Sequence, residues 1–303
     1  MKILFNHAVD RLLLSEERSN DRYYASQNPR VKPYIRLANS YGVQVEVALA
    51  KTTIVDLSLP LESFGWEPLP VKIFRYDHNE GSRYVGGPLG LSPDDFPNKT
   101  GPAVEEMELH SHAGTHLDAP WHFGPTVAGK PSKTIDEVPL EWCYGDGVVI
   151  DVRHRKGGEY ITLDDIKNGL KKINYQLRPL DIVLIMTGGD KRWEFSDYPN
   201  ASPGMSAEAT EWIIDQGVKV IGIDGFGFDR PFKKMAEDFK KGVKGALWPS
   251  HHDVGRKKEY CHIEKMANLD KIPKPFGFKV ACFPIKISKA GAGWCRAVAI
   301  LEE

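Results

Sequence analysis

The sequence predicts an α/β domain whose sheet is at least partly parallel, and three apolar runs separated by helical patterns carry that expectation. GVVIDV (147–152), DIVLIMTG (181–188) and VKVIGID (218–224) are strand-length segments rich in Val and Ile. Between the first two lies ITLDDIKNGLKKI (161–173), where Thr162 is a candidate N-cap and Ile166, Leu170 and Ile173 share one helical face. Between the second and third, 206–216 reads as helix with Ser206 as its cap. Strand, helix, strand, helix, strand is the rhythm of crossover units, which lay successive strands parallel.

The remaining elements follow in chain order. Residues 1–50 mix charged and apolar positions, include a helix predicted around 31–40, and are treated as an N-terminal extension to a main domain at 51–303. TTIVDLSL (52–59) alternates and is β-branched, so it reads as a strand that Pro60 ends. From 62 to 102 the chain is studded with Pro, Gly and Asn between Phe64, Trp66, Phe74, Tyr76 and Tyr84, which predicts loops and short strands. At 232–243 the apolar residues Phe232, Met235, Phe239 and Val243 oppose lysines, the pattern of a surface helix. FKVACFPIKI (278–287) reads as a strand with Pro284 at an edge or bulge, and GWCRAVAIL (293–301) as one more. No fixed repeat and no low-complexity tract divides the chain.

Composition bounds the function. Hydrophobic residues make up 41% and charged residues 27% of the 303, the balance of an ordinary globular protein. Lys+Arg 40 against Asp+Glu 41 leaves a net charge of -1, which argues against nucleic acid or an acidic membrane as partner. The N-terminus lacks the pattern of a secretory signal, and no run approaches the ~20 apolar residues of a membrane span. The four cysteines form no CxxC pair and read as reduced thiols. A cytoplasmic location is the expectation.

The chemistry concentrates in ELHSHAGTHLDAPWHFG (108–124), which holds four of the ten histidines and the spacing H-x3-H-x-D-x3-H at His112, His116, Asp118 and His122. Gly114, Thr115 and Pro120 disfavour a helix here, and in an extended backbone 112, 116 and 118 share parity and so one face. Two imidazoles and a carboxylate without a thiolate are the ligand set of an open catalytic metal site. Zinc suits it, manganese or iron is also accommodated, and a bound divalent cation makes hydroxide available near neutral pH. His122 is a further ligand or the acid/base that protonates a leaving group. His110 is placed outside the ligand set. A second cluster, SHHDVGRKKEYCHIEKMANL (250–269), offers His251, His252, Asp253, Glu259, His262 and Glu264, of which one or two could complete the site. Serine-hydrolase elbow, H-E-x-x-H and phosphate-loop motifs are absent.

HAGTHLDAPWH (112–122) matches every fixed position of H-x-G-T-H-x-D-x-P-x-H, and the chain therefore resembles the cyclase family of metal-dependent hydrolases, the group of bacterial kynurenine formamidase and isatin hydrolase. The likeness continues through IVDLSLPL (54–61), DIVLIMTG (181–188), SPGMSAEATEWI (202–213), VIGID (220–224) and FPIKISKAGAGWCRAVAI (283–300), so it spans roughly 52–301. It implies a single domain of the swivelling β/β/α type with a mixed sheet, assembled as a homodimer or homotetramer. It implies one or two Zn(2+) or Mn(2+) ions per subunit on His112, His116 and Asp118, with His122 as acid/base. The family's later His, twelve residues before a Glu, is matched by His252 and Glu264, which favours His252 over His251 and gives Glu264 as ligand and catalytic assistant. In two-metal members these residues hold the second ion, with the equivalent of Asp118 bridging.

The expected reaction is hydrolysis of a C–N or C–O bond next to a carbonyl in a small cyclic or aromatic amide, imide or lactone, by metal-activated water. Two alternatives stand beside it: a lyase or cyclase acting on a carbonyl without adding water, and a non-catalytic metal-binding protein. Extra residues at 1–50, 62–105 and 230–250, relative to a typical family member, are expected to alter the substrate.

Overall fold

The computed structural model describes residues 52–63 and 70–302. The extension at 1–50, the helix expected around 31–40, and Phe64 and Trp66 lie outside the described residues. Ile54–Leu301 forms one compact unit.

In chain order the elements used below are β1 (Thr52–Asp56), β2 (Lys72–Tyr76), α1 (His78–Gly86), β3 (Val104–Glu108), β4 (His116–Asp118) and the short helix α2 (Pro120–Phe123). They continue with β5 (Tyr144–Asp151), α3 (Leu163–Lys172), β6 (Ile182–Met186), α4 (Ala207–Asp215), β7 (Val220–Ile223) and α5 (Phe232–Lys240). A π-helical turn (Pro249–Val254) precedes β8 (Cys261–Glu264), β9 (Phe276–Ala281), β10 (Ala292–Trp294) and β11 (Val298–Glu302).

Nine strands hydrogen-bond in the order β1-β11-β9-β5-β6-β7-β8-β4-β10. The middle of this sheet, β5 through β8, is parallel as the crossover rhythm predicts. Antiparallel strands flank it, β9 and β11 on one side and β4 and β10 on the other. The fold is thus a mixed α/β domain. Ser206 caps α4 and Thr162 caps α3, the latter in a reciprocal box with Asp165.

The segment 293–301 is not one strand. It splits into β10, at one end of the sheet, and β11, near the other. From Trp294 to Val298 the backbone can span at most roughly 14 Å, whereas seven strand spacings across a flat sheet come to roughly 34 Å. The sheet therefore curls on itself, and the Cys295–Ala297 link ties its ends. Leu57 donates its amide to the Ala297 carbonyl at 2.9 Å across this closure.

Successive residues of the parallel strands feed two cores. Val148, Ile150, Val183, Ile185, Ile221 and Ile223 pack with the apolar stripes of α3 and α4. Val149, Leu184 and Val220 face the other way, toward Leu117, Ile263 and the inward residues of β9 and β11. Burial on both faces is what the unbroken apolar runs require.

Two differences from the sequence reading concern the insertions. The stretch 62–102, expected as loops and short strands, also contains α1. Asp77 accepts the amides of Asn79 and Glu80 while Glu80 reaches back to the Asp77 amide, a capping box that the D-x-x-E spelling encodes. The helix at 232–243 forms over α5, yet only Met235 of its apolar stripe is buried, and Phe232 and Phe239 remain exposed.

Leu117 sits opposite Ile263 with no solvent exposure. Leu117→Ala is expected to destabilise the domain by about 2–5 kcal/mol, read as a lowered urea midpoint. A shift below a tenth of that range would mean that the β4–β8 seam is not part of the cooperative core.

Candidate functional site

The site is built on the antiparallel seam between β4 and β8. The register pairs His116 with Glu264, Leu117 with Ile263 and Asp118 with His262. Because alternate side chains share a face, His116, Asp118, His262 and Glu264 point together to one side while Leu117 and Ile263 enter the core on the other. Ala292 of β10 lies opposite Asp118, so a small side chain flanks the carboxylate there.

The loop before β4 brings in His112. Gly114 takes φ +58, a left-handed conformation suited to glycine, and a Cβ there would meet the Leu61 side chain at 2.7 Å. Thr115 accepts the Leu59 amide and donates to the Lys265 carbonyl, pinning the turn to the end of β8. His112 Nδ1 then lies 2.9 Å from Asp118 Oδ1. After β4, Pro120 opens α2 at a position where its missing N–H costs nothing. That helix sets His122 with its ring 4.1 Å from His112 and 5.4 Å from His251. The motif's His112, His116, Asp118 and His122 are therefore brought together, although only 116 and 118 share a strand.

His252 does not join them. It is solvent-exposed, with its ring stacked on Trp248. His251 takes the inward place instead, which reverses the preference that the twelve-residue interval to Glu264 gave. The cause is the π-helical turn and the carboxylate that anchors it. Asp229 accepts the Ser250 amide at 2.9 Å and His251 Nδ1 at 2.6 Å, turning His251 rather than His252 toward Asp118. One ligand atom from each of Asp118, His251, His262 and Glu264 lies within 4.8 Å of the others. His262 was one candidate among six in its segment. Its i, i+2 relation to Glu264 on a strand was the available signal. Asp229 and the inward turn of His251 left no such signal.

Electrostatically the cluster draws positive charge. Burial alone would push the Asp118 carboxyl up, but the imidazoles of His116, His122 and His112 crowded around it hold it well below the usual carboxylate range. Burial would depress His116, and the nearby charge of Asp118 outweighs it and raises this imidazole. Burial likewise opposes a raised His251, whose hydrogen bond to Asp229 prevails. His122 keeps one edge open to solvent, yet crowding by its neighbours strips water from the ring. That loss pulls it to about 4, against the attraction of Asp118 and with the help of His112 and His251.

Among the buried polar atoms of the described residues that make no hydrogen bond are His116 Nε2 and Asp118 Oδ1, which lie 3.3 Å apart. His116 Nδ1 faces the Gly114 carbonyl at 2.8 Å, which assigns the proton to Nδ1 and leaves the Nε2 lone pair facing a carboxylate. Such a pair needs a cation or a second proton between its members. A divalent metal fits this arrangement and its donor set of imidazole and carboxylate. Glu264 Oε2 lies 3.6 Å from the same nitrogen, and its Oε1 is fixed by the Phe228 amide at 2.7 Å.

In front of the cluster lies a cavity of about 240 Å³, with His112, His122, His251 and Glu264 at its polar side. Phe226, Phe228, Phe232 and Trp248 form its aromatic wall, with His110, Asp229 and Lys265 also in the lining, so the 230–250 insertion contributes directly to the pocket wall.

Comparison with known proteins agrees with this architecture. The family model described as Putative cyclase matches residues 55–230, and the chain belongs to that family. A kynurenine formamidase of Erythrobacter litoralis is 26% identical over 64% of this chain and 76% of its own. Cyclase-like protein 1 of Arabidopsis thaliana is also 26% identical, over 41% of this chain and 47% of its own. Among solved structures, an isatin hydrolase bound to the product analogue thioisatinate superposes with TM-score 0.66 at 19% identity, covering 91% of this chain and all of that one. Isatin hydrolase A from Ralstonia solanacearum gives TM-score 0.65 at 22% identity over 91% of this chain and 99% of that one. These likenesses establish the fold. Among the described residues no helix is long and apolar enough to cross a membrane.

The placement of the two adjacent histidines is directly testable. After reconstitution with zinc, His252→Ala is expected to keep the metal content of the unaltered protein and His251→Ala to lose metal, measured by plasma emission spectroscopy. The opposite outcome would restore the twelve-residue interval as the rule.

Proposed function

We propose that this protein is a metal-dependent hydrolase that cleaves a C–N or C–O bond next to a carbonyl in a small cyclic or aromatic amide, imide or lactone. The observation that carries the reading is the unpartnered pair of His116 Nε2 and Asp118 Oδ1, buried at 3.3 Å behind a cavity of small-molecule size. The names of its relatives, kynurenine formamidase and isatin hydrolase, denote hydrolysis and support the same class.

His112, His116, Asp118, Glu264 and, in the place expected for His252, His251 would hold the metal, one or two ions per chain. When bound, a divalent cation of the zinc or manganese type supplies Lewis acidity, which activates water near neutral pH and polarises a carbonyl oxygen. The chain's own groups do the rest. Phe226, Phe228, Phe232 and Trp248 offer flat apolar surface that orients a planar substrate edge toward the histidines and excludes bulk water. His122 lines the cavity with its ring 4.1 Å from His112 and keeps an open edge, a position from which an imidazole accepts a proton from water and delivers it to the departing nitrogen or oxygen. Glu264, held by the Phe228 amide, presents its second oxygen toward the same space and assists that transfer.

Two substitutions separate binding from chemistry. His116→Ala is expected to abolish both metal retention and turnover. His122→Ala is expected to keep the metal and lower kcat by about 10²–10⁴-fold. A panel of an aryl formamide, isatin, a cyclic imide and an aromatic lactone, followed by mass spectrometry, checks the reaction class. Product heavier than substrate by one water supports hydrolysis, and product of unchanged or lower mass points to the lyase or cyclase chemistry. Undiminished turnover by His116→Ala in metal-free buffer would overturn the mechanism.

A further inference from the structure

Beside the cavity in front of the histidines lies a second, much smaller one of about 10 Å³, and the two share Phe226, Gly227, Asp229 and Phe232 in their linings. Gly227 does not take a left-handed conformation. A Cβ there would find its nearest neighbours, the Asp229 carbonyl and Glu264 Oε1, at 3.8 Å, an ordinary contact. Neither backbone strain nor crowding at the first carbon therefore requires glycine at 227. What the missing side chain leaves open is the boundary between the two cavities.

Two polar side chains of the small cavity, Arg230 and Ser202, are each only 5% exposed. The guanidinium is held in place: its carbon lies 3.8 Å from the Tyr160 ring centroid, and Nη1 is 2.9 Å from Asp238 Oδ2 on α5. Yet Arg230 Nε and Nη2, both buried, make no hydrogen bond, and neither does Ser202 Oγ. Buried donors of a charged group left unpaired are costly, so an acceptor belongs among them. The surrounding charge favours an anion over water. Asp238 is shared by Arg230 and Lys234, whose Nζ lies 3.2 Å from its other oxygen, and Asp229 is taken up by His251. Arg230 and Lys234 thus exceed Asp238 by one positive charge. A volume of about 10 Å³ admits one water-sized group, the tip of a substituent rather than a ring.

We propose that the small cavity is a carboxylate subsite of the substrate pocket, where Arg230 and Ser202 receive one oxygen of an acidic substituent on an aromatic substrate. The ring of that substrate lies against Phe226 and Phe232, and its scissile carbonyl faces the histidines. Gly227 is the specificity-determining opening between the two chambers, and Tyr160 and Asp238 are positioning residues for the guanidinium. The proposal rests on the hydrolase reading above and narrows its substrate class to aromatic acids. It also gives the 230–250 insertion a role, since α5 begins at Phe232 and carries Asp238.

The test is calorimetric titration of the zinc-loaded full chain with aniline and with 2-, 3- and 4-aminobenzoate, which contain no bond for it to hydrolyse, so binding is read apart from turnover. At least one aminobenzoate is expected to bind about 10-fold or more tightly than aniline, the worth of a charge-assisted hydrogen bond. Arg230→Gln is expected to bring that isomer close to aniline, whereas a carboxylate bound to the metal would keep its advantage. Gly227→Val leaves Arg230 and its partners in place and is expected to remove the same advantage by closing the opening. Zinc content checks that both variants fold. Equal affinity for aniline and all three isomers, or an advantage that survives Arg230→Gln, would overturn the proposal. Acetate is expected to compete with the favoured aminobenzoate; acetate binding that Arg230→Gln abolishes, with no aminobenzoate advantage, would make this a site for a free anion and overturn the subsite. Formanilide and its carboxylated derivatives then separate the two readings. Turnover without preference for the acids leaves the hydrolase reading standing and removes the subsite, and preferential binding without turnover does the reverse.

Discussion

The constraint on which this structure turns is the burial of the Asp118 carboxylate. Its residue is 1% exposed at the end of a strand. An isolated carboxylate so removed from water carries a penalty of several kcal/mol that only charge and hydrogen bonding offset. His112 and His116 approach one oxygen and His262 the other. Hydrophobic packing could have filled the same volume at lower cost. The imidazoles are there because the chain maintains a negative well, and His116 and His262 each point a ring nitrogen into it.

Holding that well open is the work of the sheet. The β4–β8 register sets four functional side chains on one face in two neighbouring strands, and strand geometry fixes their separations more tightly than loops could. The curl that follows from the short β10–β11 link brings β10 against β4, where Ala292 leaves room beside Asp118. Parallel strands β7 and β8 end at the site, and the segment after β7 supplies Phe228, whose ring supports His262 and whose amide holds Glu264. This is the usual place for a ligand in a parallel sheet, outside the carboxyl ends of its strands.

How much of this could be read in the sequence varies with the range of the interaction. The three parallel strands and two helices between them were legible, because period and capping are local: Thr162 and Ser206 cap where the spelling says they should. The motif histidines were legible as a group, although parity alone did not account for His112, which arrives through the Gly114 turn. The choice between His251 and His252 was not legible. It depends on a carboxylate 22 positions earlier in the chain and on a π-helical winding that shifts every side chain after Pro249. Nor could the division of 293–301 into two strands be seen, since GWCRAVAIL reads as a continuous β segment and only closure of the sheet breaks it.

The distribution of exposure across the site supports a division of labour. His116, Asp118 and His262 are shut away from solvent, backed by rigid strands and aromatic rings. His122 stands at the rim on a four-residue helix with an open edge. Groups that hold charge benefit from a dry, low-dielectric floor, where attraction to a cation is strong and geometry is fixed. A group that exchanges protons needs contact with water between turnovers. Strand residues thus make the floor, and the turn that follows β4 lifts the next histidine four positions along to the mouth. The spacing from Asp118 to His122 is the sequence record of that step from buried sheet to exposed rim.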